Sequence, residues 1–226
     1  MTGKNNDKEK QLLKDFNDVA KRLKRELESK LGDKSELVFR EVHEEYKKII
    51  PHIPSAGGHE PFTRFLISTG QYLALYRVLK THGFTSKEAG ELLYSLTDKL
   101  LESYPGFLIR FLTPNIFSKD YIEKVRIRAG ESQRRSFGGY VFNYVDGTTD
   151  FDYGIDYTEC GVYRFLLEMG APELAPYVCA MDILNSDRLG WGLRRTMTIA
   201  DGGHVCDFRF RKGKETDVSS SVIERE

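Results

Sequence analysis

The chain has 226 residues, 34 Lys plus Arg against 34 Asp plus Glu, and only three cysteines. That length suits one domain, with or without a helical extension, and a sizeable core. The balanced charge leaves no field to gather nucleic acid or an anionic membrane, and no stretch approaches the roughly 18 apolar residues of a membrane span, so neither is expected as a partner. The polar start MTGKNNDKEK has no apolar h-region behind it. A small, odd number of cysteines suits a reducing compartment, where thiols serve chemistry or packing. Together these features predict a soluble cytoplasmic protein.

In chain order, Leu12, Leu13, Phe16, Val19, Ala20, Leu23 and Leu27 recur with a helical period over residues 7–31, and Gly32 ends the run. A second amphipathic helix is predicted over 35–50, stopped by Pro51 and Pro54, before the loop SAGGH. Residues 62–81 are apolar over a wide arc, as in a helix buried on more than one side. Residues 85–103 open on a capping-box pattern, Thr85 or Ser86 with Glu88, and reach Pro105. The short apolar FLIRFL and TPN precede a basic helix over 118–135, whose Lys124, Arg126, Arg128, Arg134 and Arg135 read as a solvated face or, alternatively, an anion site.

The texture changes at Phe137. GGYVFNYVDG alternates and ends in Asp146-Gly147, a strand and turn. The aromatic run Phe137, Tyr140, Phe142, Tyr144, Phe151, Tyr153 and Tyr157 suits sheet packing, or the wall of a pocket for a small planar ligand. Thr158 offers an N-cap to a helix over 159–169, and Pro172 opens another over about 173–187. GLRRTMTIA and HVCDFRF flank Asp201-Gly202-Gly203, a β-hairpin signal. These elements predict an α+β fold: a helical region over 1–135, then an α+β region over 136–212 whose small antiparallel sheet and packed helices form one compact unit with the helical region, and a disordered tail over 213–226.

All three cysteines fall in this second half, on three different elements. Cys160 would lie in the first turn of its helix, where unpaired N–H groups and the helix dipole favour a thiolate; the alternative is a packed, inert thiol. Cys179 and Asp182 share a helix face. A metal site on Cys160, Cys179 and Cys206, with His204 able to complete it, would have to be assembled from separate elements. With Asp201-Gly202 as a two-residue turn, Met197 faces Cys206 and Ile199 faces His204. Arg195, Met197, Ile199, Cys206, Phe208 and Phe210 then form an apolar face, and Thr196, Thr198, Asp207 and Arg209 a polar one. Arg195 is the lone charge on the apolar face, there to pair with a ligand carboxylate or with Glu159, Asp182 or Glu168. No GxGxxG, P-loop or HExxH pattern is present.

Cys160 followed by FLLEMGAPELAPYVC, then Asp182, then GLRRTMTIADGGHVCDFRF, resembles the L-2-amino-thiazoline-4-carboxylic acid hydrolase family. GAPELAPYVCAMD and RTMTIADGGHVCDFRF carry the likeness most closely, over about the last 75 residues. The pattern places cysteines at Cys160, Cys179 and Cys206, the acid at Asp182, the Arg195-Thr196 pair and the run Cys206 to Arg209. Gly161 departs from it, a proline being familiar there, as does His204-Val205, where a second cysteine often stands. The resemblance implies hydrolytic opening of a cyclic amidine, with Cys160 as nucleophile, Asp182 or Asp207 as acid/base, and Arg195 as carboxylate clamp with Thr196, Cys206 and His204 around the substrate. No cofactor is required by the sequence, although a divalent metal fits the chemistry. The second half also looks like 4-vinyl reductase-type domains, which implies the rival reading of a non-catalytic small-molecule-binding or sensory module.

Overall fold

The computed structural model describes residues 2–106 and 115–223, so FLIRFL and the TPN that follows lie outside the described residues, apart from Asn115. Chain contacts divide it into two compact units, one of residues 1–53 and 67–103, the other of residues 54–66 and 104–226. The basic helix belongs with the sheet, and the helix Phe62–Thr81 gives its first turn to the second unit.

The first unit is helical: α1 (Thr2–Leu31), α2 (Ser35–Ile49), α3 (Phe62–Thr81, from Ile67 on) and α4 (Ser86–Glu102). The predicted seam of α1 is real, with Leu12, Phe16 and Ala20 buried. Phe16 lies 5.9 Å from Phe39 and 5.3 Å from Tyr46 of α2. Leu73, Ala74 and Leu79 on α3 are fully buried, each buried Leu contributing about 1.5–3 kcal/mol. The capping box at α4 forms as expected: Thr85 Oγ1 accepts from Glu88 N–H, and the Glu88 carboxylate accepts from Thr85 N–H. The four helices border an apolar cavity of about 160 Å³ lined by residues such as Leu23, Val42, Leu75 and Leu96. Among the described residues no helix is long and apolar enough to cross a membrane.

The second unit holds α5 (Lys119–Arg134), α6 (Gly161–Glu168), α7 (Ala175–Leu189) and strands β1 (Val141–Asp146), β2 (Tyr153–Glu159), β3 (Arg194–Arg195), β4 (Cys206–Phe210) and β5 (Asp217–Val218). The sheet order is β1-β2-β4-β3-β5. The first four strands pair antiparallel, as expected, while β5 joins β3 in parallel and makes the sheet mixed. Asp217–Val218, within the stretch expected to be a disordered tail, is thus an edge strand. It is anchored by Val218, which is buried, and by Ser219 N–H donating to Arg195 O at 2.9 Å. On α5 the basic residues pair within the unit: Arg126 meets Asp146 at 2.6 Å and lies over the Tyr144 ring, and Arg128 donates to Glu60 O.

Register fixes which side chains share a face. Phe142 faces Tyr157, which in turn faces Cys206, and Ile155 faces Phe208. These residues, with Tyr153, Phe210 and Arg195, form the apolar face. Asp156, Asp207, Arg194 and Arg209 occupy the other, where Arg209 meets Asp156 at 2.6 Å. The hairpin keeps the predicted register where it is paired, Arg194 opposite Arg209, but its turn is wider than two residues. Asp207 accepts from the Thr196 and Met197 amides at 2.9 and 2.7 Å, so these amides leave the ladder and a 3₁₀ turn over Ile199–Asp201 follows. Met197 is accordingly exposed, whereas Thr198, expected on the polar face, is buried and bonded to Asp201.

Candidate functional site

Between the apolar face of the sheet and helices α6 and α7 lies a cluster of buried ionisable groups. β2 runs through Thr158 and Glu159, so the N-cap of α6 is Cys160 itself, two residues later than expected. Its Sγ accepts from Tyr163 N–H at 3.5 Å. The Tyr163 and Val162 amides do favour the thiolate, but burial outweighs them and pushes the Cys160 thiol up. Burial lifts Cys179 well above the ordinary thiol range. Cys206, whose Sγ accepts from Ile199 N–H at 3.2 Å, is pushed up to about 12, mainly by burial.

Arg195 lies at the centre, with 2% of its surface exposed. β3 carries it onto the apolar face, 5.7 Å above the Phe208 ring. Its Nη1 donates to Asp182 Oδ2 at 2.5 Å and to Cys179 O at 2.9 Å, and its Nη2 to Ser219 O at 3.5 Å. Its Nε is buried with no hydrogen-bond partner. An orphaned guanidinium donor at this depth is costly, and the Nε–Nη2 edge is the side on which a carboxylate is bound by two parallel bonds. Asp182 is pushed up to about 6, because burial outweighs the adjacent Arg195. Its side chain is still 26% exposed, which gives the carboxylate a route to solvent protons.

Two tyrosines read from sequence as sheet packing or pocket wall belong to the same cluster. Burial raises the hydroxyls of Tyr140 and Tyr157 well above the ordinary phenol range, and both sense Cys160 and Asp182. The aromatic spacing identified them as a wall, but nothing in it marked their hydroxyls. Ser219, on the segment expected to be disordered, carried no signal at all.

Cys160, Cys179, Asp182, Arg195 and Cys206 are therefore brought together. Asp207, Thr196 and His204 are not. The Asp207 carboxylate is spent on the Thr196 and Met197 amides and on Thr196 Oγ1 at 2.7 Å, which makes it a loop clasp rather than an acid/base group. Thr196 is exposed in that clasp. His204 precedes β4 and is exposed, off the strand face expected for it. No three His, Cys, Asp or Glu side chains among the described residues are placed to hold a metal ion together, so Cys160, Cys179 and Cys206 do not form the metal site weighed for them.

No curated protein and no solved structure gives a significant match to the chain. The model of L-2-amino-thiazoline-4-carboxylic acid hydrolases matches residues 64–210, a span that includes all three cysteines, Asp182, Arg195 and both tyrosines. The chain belongs to the L-2-amino-thiazoline-4-carboxylic acid hydrolase family.

Proposed function

We propose that the protein hydrolyses a small cyclic amidine carboxylate of the 2-amino-thiazoline-4-carboxylate type to an N-carbamoyl amino acid. The observation that carries this reading is the buried Arg195, whose Nε has no partner, beside an Asp182 held near pH 6 and the Cys160 thiol. The substrate carboxylate accepts from the unpartnered Nε of Arg195. Asp182 accepts the Cys160 proton, and the sulfur adds to the ring carbon between nitrogen and sulfur. The bond from that carbon to the ring sulfur breaks, the ring sulfur leaves as a thiol, and an isothiourea linked to Cys160 remains. Water then adds to the same carbon, its proton passes to Asp182, and the Cys160 thiolate leaves. One water is consumed, and the product is a urea with a free thiol. Three free cysteines fit a reducing, cytoplasmic setting, and the partner is the small-molecule substrate rather than nucleic acid or membrane.

Incubating the pure protein with the thiazoline acid and following thiol release tests this directly. Cys160→Ser is expected to abolish turnover while leaving the fold intact, and full retention of rate would remove Cys160 from the mechanism. Because Asp182 must be ionised to accept the proton, the rate is expected to rise as pH passes upward through about 6, and Asp182→Asn to flatten that limb. One observation favours a second reading: burial pushes all three thiols up, as in an inert pocket of a binding module. Absence of turnover with and without added divalent metal, combined with saturable binding of the acid, would select that reading.

A further inference from the structure

We propose that residues 216–221 position the Arg195 guanidinium for the substrate carboxylate, with the Ser219 main chain as the point of attachment. The inference rests on the reading of Arg195 as the carboxylate clamp. It starts from how little else holds β3. That strand is two residues long, and its ladder with β4 is the single pair Arg194 and Arg209. Directly after Arg195, the Thr196 and Met197 amides turn to Asp207 and leave the ladder. A site that binds a carboxylate needs its cation held in one direction by surrounding bonds, and β4 alone does not supply them. β5 does. It runs parallel to β3, with Arg194 level with Asp217 and Arg195 level with Val218. Asp217 N–H donates to Leu193 O at 2.7 Å and Ser219 N–H to Arg195 O at 2.9 Å, while Ser219 O accepts from Arg195 Nη2 at 3.5 Å. One residue, Ser219, thus meets both the main chain and the side chain of Arg195.

The guanidinium is planar and turns as a unit, so its anchors decide where Nε points. Asp182 Oδ2 and Cys179 O hold Nη1, and the Phe208 ring lies 5.7 Å from the group on one face. Contacts through Nη1 alone leave the plane free to swing about that atom. The Ser219 carbonyl at Nη2 stops the swing and leaves the buried, unpartnered Nε to the substrate. The segment is itself tied down at both ends. Thr216 Oγ1 lies 2.7 Å from Ser186 Oγ, which also accepts from Leu193 N–H at 3.0 Å. Ser186 stands one turn beyond Asp182 on α7, so the helix that carries the acid also holds the segment that orients its cation. Val218 is buried, and at the far end Ser221 Oγ donates to Asp201 Oδ1 at 2.5 Å.

The test compares wild type with Ser219→Pro, which removes the N–H that bonds Arg195 O, and with Ser219→Ala, which keeps the main chain and serves as the conservative control. A chain ending at Glu215 is the second disrupting variant, in case the proline does not fold. Modification of Arg195 by phenylglyoxal is followed by peptide mass, with the exposed Arg164 as internal reference. The expected result is modification at least about tenfold faster in Ser219→Pro and in the shortened chain, through local opening, and the wild-type rate in Ser219→Ala. Turnover of the thiazoline acid and of its carboxamide is measured in parallel. KM for the acid should rise about tenfold in Ser219→Pro with kcat within about threefold, as when binding shared by ground and transition states is lost. KM for the carboxamide should stay unchanged, which general damage to the fold would not allow. A folded Ser219→Pro that keeps both the wild-type modification rate and KM, a Ser219→Ala as reactive as the proline variant, or a wild-type Arg195 as reactive as Arg164 would overturn the proposal. A protected wild type and reactive variants, with no turnover by wild type, would remove the hydrolase reading and leave the positioning of Arg195 standing.

Discussion

Replacing Arg195 with Met removes the cation from the buried pair and keeps most of the side-chain volume. Asp182 Oδ2 then loses its 2.5 Å contact with Nη1, and the Cys179 carbonyl loses its donor. Charge centres about 4 Å apart at an effective permittivity of about 20 attract by roughly 4 kcal/mol. Removing one partner of a buried pair costs about 3–5 kcal/mol. Asp182 can escape part of that cost by taking up a proton, so the loss depends on pH. Its folded pKa already lies above its ordinary value, at about 6, so its favourable contribution is complete at low pH and is lost as pH rises through the folded pKa. Without Arg195 the folded pKa moves higher still, and each further unit costs about 1.4 kcal/mol once the pH exceeds it. The destabilisation is therefore expected to be small near pH 5 and about 3 kcal/mol near pH 8, a fall in Tm of about 6–12 °C for a chain of this size. Trp191 is the single tryptophan and lies in the same unit, edge-on to Phe210 at 6.1 Å, so its fluorescence in urea reports unfolding of that unit. A loss independent of pH, or below about 1 kcal/mol at pH 8, would refute the reasoning.

Gly161→Ala would place a Cβ 2.4 Å from Gly138 O and 2.8 Å from the Tyr140 ring; about 1–3 kcal/mol of destabilisation is expected from such overpacking, together with reduced thiol reactivity at Cys160, measured by urea unfolding and alkylation rate. Asp207→Ala frees the Thr196 and Met197 amides and is expected to cost about 1.5–3 kcal/mol while leaving the pH limb of any activity in place. A lost limb would return Asp207 to the chemistry.

The parts of the fold that could be read in the sequence are those set by local pattern. The α1 seam at Leu12, Phe16 and Ala20, the Thr85–Glu88 cap and the alternation Cys206, Phe208, Phe210 each follow from a period or a cap, and each stands in the structure. Arg195 was legible as the one charge on an apolar strand face, with Asp182 among its possible partners. The direction of the Cys160 shift was not, because helix-end electrostatics is local whereas the burial that overrides it is set by tertiary packing. The hairpin kept its register but not its turn, because a side chain, Asp207, competes for amides that the turn rule assigns to the ladder. β5 is two residues long, too short for any periodicity, and forms only because β3 presents it a free edge.

That edge strand changes where the site ends. Ser219 O accepts from Arg195 Nη2, and Ser221 Oγ donates to Asp201 Oδ1 beside the loop that carries the Cys206 partner Ile199, yet both serines lie past residue 210, where the family match stops. The segment that accepts from Nη2 of the guanidinium thus lies outside the matched span while closing over residues within it. Exchanging Ser219 or Ser221 would therefore change the surroundings of Arg195 and of the Ile199–Asp201 turn without altering any residue of the matched span.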